Sequence, residues 1–224
     1  MNETVTAGAR RRPGRPKGSE ELRDIILDKA EIAFADAGFM GVRLRDVAAE
    51  AGVNQALIRY YFGSKEDLFD EVFRRRGSAI SGARHVLLDK LLADKPAPSV
   101  AEIIRAYLQP QWDMKHGGAG GAAFVRLQAR LHSEPEEHAL RLRREVYDAS
   151  VKRYIQALNA ALPEVPREVL SMRMAFLVGA YLFMLNDLGR LNDLTDGQIG
   201  EIGPEEMLDQ LVRFLAAGMA APAD

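Results

Sequence analysis

Hydrophobic and polar residues recur with a helical period along most of this chain. Between Arg43 and Leu68 the pattern predicts a short helix, a tight turn, a second short helix and the start of a third. In the first of these helices the apolar positions i, i+3, i+4 and i+7 are Leu44, Val47, Ala48 and Ala51. Such a helix has one buried face and one solvated face.

The residues between the two short helices are those that a sharp turn requires. Gly52 can adopt the positive φ with which many helices end. Asn54 is a natural N-cap, so the second helix begins at Gln55. Val53, before the cap, is placed to pack on Ile58 as a hydrophobic staple. This combination is typical of a helix-turn-helix rather than of an ordinary helical hairpin.

The polar residues of the second helix suit DNA better than a protein core. Gln55, Ala56, Arg59 and Tyr60 are predicted to face outward, while Leu57, Ile58 and Phe62 anchor the helix. Ser64 and Asp67 form a capping box for the third helix, and Lys65 lies in its first turn, where a phosphate would be favoured. The predicted DNA contacts are Arg43, Gln55, Ala56, Arg59, Tyr60, Tyr61 and Lys65.

The run from Ile26 to Leu68, ILDKAEIAFADAGF followed by LRDVAAEAGVNQALIRYYFGSKEDL, resembles the N-terminal domain of TetR-type transcriptional regulators. The resemblance implies an all-α homodimer with a DNA-reading head and a helical C-terminal domain that binds a small-molecule effector. The family usually has Thr or Ser just before the first short helix, where Val42 and Arg43 stand here. Arg59 occupies a position that is often tyrosine, which favours an ionic contact.

Helical patterns continue on both sides of this motif. A helix that opens at Ser19 is expected to end at Gly38, and a long helix after Lys65 is expected to join the head to the rest of the chain. Residues 93–99 are a Pro-rich break. The helix that follows is expected to be disturbed at Pro110, and residues 117–121, GGAGG, are expected to form a flexible loop. Further helices are predicted over 124–131 and 136–162.

Near the C-terminus the residues from Met174 to Leu185, MAFLVGAYLFML, have no polar face. A helix that is apolar all round must be covered on every side, and this run is too short to span a bilayer. A last helix opens at Pro204 with a broad apolar stripe. These two helices could pair with their copies as a four-helix dimer interface, as the resemblance also implies, or could belong to the core of a monomer.

Composition narrows the possible classes of protein. The chain is 47% apolar and has no cysteine, which excludes disulfides, thiolate catalysis and zinc-finger ligation. No secretion signal or membrane span is predicted, so the expected location is the cytoplasm. The net charge is −2, but five basic residues and one acidic residue lie within 1–19. We therefore predict a disordered basic arm over 1–18, which either contacts DNA or is a solvated tail.

No catalytic site, metal or cofactor is predicted, because His85, His116, His132 and His138 lack the spacing of metal ligands. An effector pocket in the C-terminal half is more consistent with its methionines and aromatic residues. The candidate pocket residues are Trp112, Phe124, Tyr147, Phe176, Tyr181 and Met184.

The sequence therefore predicts an all-α protein that is not an enzyme, with a head over 19–65 and an effector-binding and dimerisation domain over 66–224. The predicted function is a homodimeric repressor that binds a palindromic operator in double-stranded DNA. A small apolar or amphipathic molecule would release it. Three alternatives stay open: a transcriptional activator, a C-terminal domain that binds a partner protein, and an enzyme with an accessory DNA-binding head.

Overall fold

The computed structural model describes residues 17–131, 136–186 and 190–223. Within these residues all regular structure is helical. The helices are α1 (Lys17–Gly41), α2 (Leu44–Glu50), α3 (Gln55–Phe62), α4 (Lys65–Asp94), α5 (Val100–His116), α6 (Ala119–Arg130), α7 (Glu136–Ala161), α8 (Arg167–Leu185), α9 (Arg190–Leu194) and α10 (Pro204–Met219), with a 3-10 turn over Gln198–Glu201. The all-α fold predicted from the hydrophobic periodicity is confirmed.

The first three helices and the start of α4 pack around one apolar cluster. Its fully buried members include Ile26 and Phe34 from α1, Ile58 from α3 and Phe69 from α4. The cluster continues into α6 and α7, so the head does not have a core of its own. Gly38, where α1 was expected to end, is a kink with φ of +69° within the helix.

Helix α4 joins the head to the remainder of the molecule, as the sequence predicts. It is 30 residues long and begins with the capping box of Ser64 and Asp67. Its N-terminal residues are buried in the first cluster, whereas Leu88 near its end belongs to a second cluster formed with α5, α7, α8 and α10. A rigid element therefore spans both apolar clusters.

Two sequence expectations about α5 and α6 are wrong. Pro110 lies inside α5, which continues to His116, and the GGAGG run does not form a flexible loop, because α6 begins at Ala119. Tyr107, Leu108 and Trp112 are buried on both sides of Pro110, so packing offsets the roughly 3 kcal/mol that an interior proline costs a helix. In this region tertiary contacts, rather than local helix propensity, determine where the helices begin and end.

The glycines of α6 lie where this helix closely approaches the α5 backbone and the Arg76 side chain of α4. A Cβ atom added to Gly121 would overlap the backbone carbonyl oxygen of Met114 at the end of α5. A Cβ atom at Gly120 would lie 2.8 Å from Nη2 of Arg76. Since glycine alone permits this contact, the run is a helix-packing device, although its composition is that of a loop.

Helix α8 is covered on one side only within the single chain. Its buried residues are Leu170, Met174, Leu177, Tyr181 and Leu185. On the opposite side Phe176 and Phe183 are 64% and 66% exposed, and Phe214 of α10 is 72% exposed beside them. We call the surface formed by Met172, Phe176, Phe183 and Phe214 the α8–α10 face. The expectation that α8 is covered on every side is not met within one chain.

Among the described helices, α8 is long and apolar enough to cross a membrane when length and composition alone are considered. Helix α8 has 19 residues and is therefore longer than the apolar run from Met174 to Leu185. Core helices of soluble proteins meet the same criterion, so this finding is weak evidence for a membrane span.

We expect Gly121→Ala to lower the free energy of unfolding by about 1–3 kcal/mol or more, because the added methyl group overlaps the α5 backbone. The matched control is Gly82→Ala, at an exposed helical position where no atom lies within 4 Å of the added Cβ. It should be neutral or slightly stabilising, since alanine favours helix. Urea denaturation followed by circular dichroism at one protein concentration compares the variants. Equal stability of both would contradict the packing explanation.

Candidate nucleic-acid interface and ligand cavities

Helices α2 and α3 are held in one geometry by their turn and their buried residues. Gly52 has φ of +67°, and the Asn54 side chain caps α3 by accepting a hydrogen bond of 2.8 Å from the Leu57 amide. Val47 and Ala48 of α2 and Ile58 of α3 are buried together with the first cluster. The predicted turn glycine and N-cap are therefore present in the structure.

The outer face of α3 presents a compact set of polar groups. Gln55, Ala56, Arg59 and Tyr60 are exposed, and the Tyr60 side chain is 80% exposed. Tyr61 is half-buried, with its ring 5.5 Å from that of Tyr60. An amide, a guanidinium and phenols on one short helix can donate hydrogen bonds to base edges and to phosphates.

The N-terminus of α4 lies next to this face. The Ser64 hydroxyl donates to Asp67 Oδ2 at 2.6 Å, and this hydrogen bond holds the pKa of the Asp67 carboxyl below its usual value. The Lys65 ammonium lies 4.5 Å from the centre of the Phe39 ring. That contact places a cation beside the free N–H groups of a helix start, which is a favourable place for a phosphate.

Arg43 is exposed and occupies the N-cap position of α2, where its side chain makes no capping hydrogen bond. A serine or threonine, which the family usually has near this point, could cap the helix. With Arg43 in this position, α2 has no side-chain cap. Residues 1–16 of the predicted basic arm lie outside the described residues.

Buried carboxylates tie α4 to α7 and to α1. Asp70 of α4 accepts hydrogen bonds from His138 Nε2 at 2.6 Å and from Arg141 at 2.7 Å, both on α7. Glu31 of α1 is 1% exposed and pairs with Arg75 and Arg76 of α4. Arg75 and Arg76 are therefore ion-pair partners of a buried carboxylate.

The histidines are also engaged in local contacts. His116 Nδ1 donates to the Trp112 carbonyl at 2.8 Å, and His85 Nδ1 accepts from Arg153 at 3.0 Å. His132 lies outside the described residues. Within the described part of the chain no group of three or more His, Cys, Asp or Glu residues could hold a metal ion.

The six candidate pocket residues do not line a single cavity. Trp112 and Met184 line a cavity of about 330 Å³ between α5, α8 and the segment before α10. Tyr147 and Tyr181 line a second cavity of about 190 Å³. Phe124 is fully buried in the first cluster, and Phe176 belongs to the exposed α8–α10 face.

The second cavity also contains polar residues that the sequence reasoning missed, namely Arg84, Gln111, Gln128 and Arg143. One signal was present in the sequence. Arg84 lies at i+4 from Ile80 and i−4 from Leu88, so it interrupts the buried stripe of α4 with a charge. The same spacing marks Gln111, four residues after the buried Tyr107, and Gln128, four residues after the buried Phe124.

Both the helix-turn-helix head and the C-terminal helices match models of known protein families. Residues 26–72 match the family model "Bacterial regulatory proteins, tetR family", and residues 105–218 match the model "Tetracyclin repressor-like, C-terminal domain". The chain belongs to the TetR family. The resemblance stated from the helix-turn-helix residues is thereby confirmed, and the family consists of transcriptional regulators rather than enzymes.

Several curated relatives are named as repressors, and two of them show the extent of the match. The HTH-type transcriptional repressor Rv3405c of Mycobacterium tuberculosis is 29% identical, with 46% of this chain and 66% of that protein covered. The repressor NicS of Pseudomonas putida is 36% identical, with 40% of this chain and 42% of that protein covered. The matches therefore span less than two thirds of these TetR relatives.

Solved structures extend the likeness over nearly the whole chain. The fatty acid degradation regulator FadR of Bacillus halodurans has a TM-score of 0.66 at 15% identity, covering 88% of this chain and 95% of that one. A TetR-like regulator of Rhodococcus sp. RHA1 has a TM-score of 0.63 at 19% identity, covering 90% and 97%. At these identities the likeness establishes the TetR fold alone.

We expect Asp70→Asn to lower the free energy of unfolding by about 1–3 kcal/mol, since it removes the carboxylate that pairs with cations on α4 and α7. Asp148→Asn is the control, because its half-exposed carboxylate pairs with Lys152 at 3.5 Å and contributes about 0–1 kcal/mol. Urea denaturation at one protein concentration measures both. A smaller effect at Asp70 than at Asp148 would contradict a structural role for this ion-pair cluster.

Proposed function

We propose that this TetR-family protein is a DNA-binding transcriptional regulator, a homodimeric repressor released from a palindromic operator by a small effector. The observation that carries the proposal is the outer face of α3. Its polar side chains are exposed, while Ile58 and Phe62 anchor the helix from beneath. A helix held in this way can enter a major groove without disturbing the core.

The exposed residues divide into two roles. Gln55 and Ala56 stand at the start of α3, the part of a recognition helix that reaches base edges. Arg59, Tyr60 and Tyr61 further along the helix, with Lys65 and Arg43 beside it, would mostly hold phosphates. Phosphate contacts supply affinity and orientation, and base contacts supply sequence preference.

Dimerisation is supported by the α8–α10 face. TetR-family regulators form dimers, and three exposed phenylalanines on adjacent helices are unusual on a monomer surface. A two-fold axis through this face would pair α8 and α10 with their copies. Two recognition helices spaced about 34–36 Å apart would then read successive major grooves of a palindromic site.

Release by an effector requires a ligand that binds the form off DNA more tightly than the form on DNA. A hundredfold loss of DNA affinity corresponds to roughly 2.7 kcal/mol of coupling. Helix α4 is suited to transmit it, because Lys65 lies at the DNA face and Arg84 lines the cavity of about 190 Å³. TetR-family regulators are typically soluble cytoplasmic proteins, and we propose the same location here.

The deciding experiment is fluorescence anisotropy of the purified protein with DNA that flanks its own gene, at several salt concentrations. We expect preferential binding to a short site, saturating at an even number of protomers. Unrelated DNA is the control. Equal, weak binding to both DNAs would contradict an operator at this locus, and sequence-specific binding without release by small molecules would favour a partner-binding C-terminal domain.

In the same assay Lys65→Ala should weaken binding to all DNA sequences alike and reduce the salt slope by about one, as the loss of one phosphate contact does. The matched control is Lys90→Ala, an exposed lysine in the distal half of α4. It should leave the slope unchanged. A changed base preference in Lys65→Ala would mean that Lys65 reads sequence.

The dimer is tested by Phe183→Glu on the α8–α10 face. Because the substitution places a charge where apolar surface should be buried, we expect a shift from dimer to monomer in light scattering coupled to size exclusion. Val86→Glu is the control, since Val86 on α4 has the same 66% exposure as Phe183 but lies outside this face. A dimeric Phe183→Glu protein that remains helical by circular dichroism would place the interface elsewhere.

A further inference from the structure

The cavity lined by Tyr147 and Tyr181 contains a buried cation that pairs with no carboxylate of the described residues. This cation is Arg84 of α4, which is only 3% exposed. Its Nε donates to the Tyr107 carbonyl at 2.9 Å, and Nη2 donates to Gln111 Oε1 at 3.4 Å. Among the described residues no carboxylate oxygen lies within 4.0 Å of its guanidinium. The guanidinium also lies over the Tyr107 ring, with Cζ 3.7 Å from its centre, and this contact stabilises part of the charge. A buried charge without an ion-pair partner still has room to gain from an anion.

Arg84 also determines the direction of a chain of hydrogen bonds along the cavity wall. Arginine only donates, so Gln111 must turn its oxygen toward Arg84 and its amide nitrogen toward Gln128. The Gln111 amide does donate to Gln128 Oε1. Gln128 Nε2 in turn donates to the Tyr147 hydroxyl at 3.0 Å. Each member donates to the next, and the chain ends on a phenol.

The last hydroxyl of this chain therefore has its hydrogen left to donate. Tyr147 accepts from Gln128, and burial raises the pKa of its phenol, which keeps the group protonated. The Arg84 Cζ atom lies 5.9 Å from the centre of the Tyr147 ring. Both side chains line the same cavity, and a guanidinium together with a phenolic donor can bind the two oxygens of one carboxylate.

The remaining charges of the cavity favour an anion. A second arginine, Arg143, lines it, together with one carboxylate, Asp148. Lys152 lies 3.5 Å from Asp148 and partly neutralises it. Of the three charged lining residues, two are arginines, and Arg84 is the most buried.

The size and walls of the cavity limit the rest of the ligand. Its volume is about 190 Å³, and a cavity of about 150 Å³ holds benzene. The Tyr107 and Tyr181 rings and the side chains of Val151, Val178 and Leu182 supply apolar wall. One aromatic ring or a short aliphatic chain fits this space together with a carboxylate.

We infer that the effector of this protein is a small organic monocarboxylate of about the size of benzoate, with its carboxylate held between Arg84 and the Tyr147 hydroxyl. This inference rests on the proposed function, because it names the ligand of an effector-released repressor. It narrows the apolar or amphipathic effector expected from sequence to an anion.

The test is isothermal titration of the full-length protein with sodium benzoate, and with benzamide, its neutral analogue of nearly the same shape, at equal ionic strength. We expect benzoate to bind and benzamide to bind roughly tenfold to a hundredfold more weakly, the range for losing a hydrogen bond to a charged group. Equal affinities would overturn the inference. Absence of benzoate binding up to millimolar concentration would overturn it as well.

Three variants assign the contacts. Tyr147→Phe keeps the ring and should weaken benzoate binding several-fold. Arg84→Met keeps the side-chain length and should abolish detectable binding, while Arg84→Lys keeps the charge and should retain part of the affinity.

Arg153→Met, which removes a surface arginine paired with Asp89, is the control and should bind like the parent. Cooperative thermal unfolding of each variant excludes misfolding. Unchanged benzoate affinity in folded Arg84→Met and Tyr147→Phe would overturn the assignment.

The DNA assay separates this inference from the proposed function. Benzoate binding accompanied by a loss of DNA affinity supports both the carboxylate site and the proposed function. Benzoate binding with unchanged affinity for an established operator overturns the effector role of the site. If the protein binds benzoate through Arg84 but binds no DNA, the proposed function fails and the carboxylate site is supported.

Discussion

The packing of helix α4 is the constraint on which the rest of the structure depends. Its first turns bury Leu68 and Phe69 against α1, and its far end buries Leu88 among the C-terminal helices. Because the same helix belongs to both apolar clusters, the head cannot shift without moving α4 relative to α7. The ion pairs of Asp70 and Glu31 lie at this junction and give the contact a defined register.

The same helix also explains why the interior of the C-terminal half is partly polar. One turn of α4 places Arg84 where an aliphatic side chain would continue the buried stripe. Its charge orients two glutamines and a tyrosine, which come from α5, α6 and α7. A buried network of this kind specifies the mutual positions of its helices, since its members must meet in hydrogen-bonding geometry.

Much of the head could be predicted from sequence because its signals are local. The Gly52 turn, the Asn54 cap and the capping box of Ser64 and Asp67 involve residues within four positions of one another. The exposed face of α3 follows from the same periodicity. The candidate pocket could not be predicted in this way, and Trp112, Phe124, Phe176 and Tyr147 were grouped by residue type although they lie in different places.

The sequence by itself determined the helical class and the helix-turn-helix, because periodicity, caps and turns are properties of neighbouring residues. The same residues carry the resemblance to the TetR family. Only the tertiary structure decided that α5 continues through Pro110 and that the GGAGG run enters α6, since the close contact of two helices outweighs local propensity there. It also decided which polar groups meet around Arg84. Those groups are separated by tens of residues, so no local sequence pattern predicts that they line one cavity.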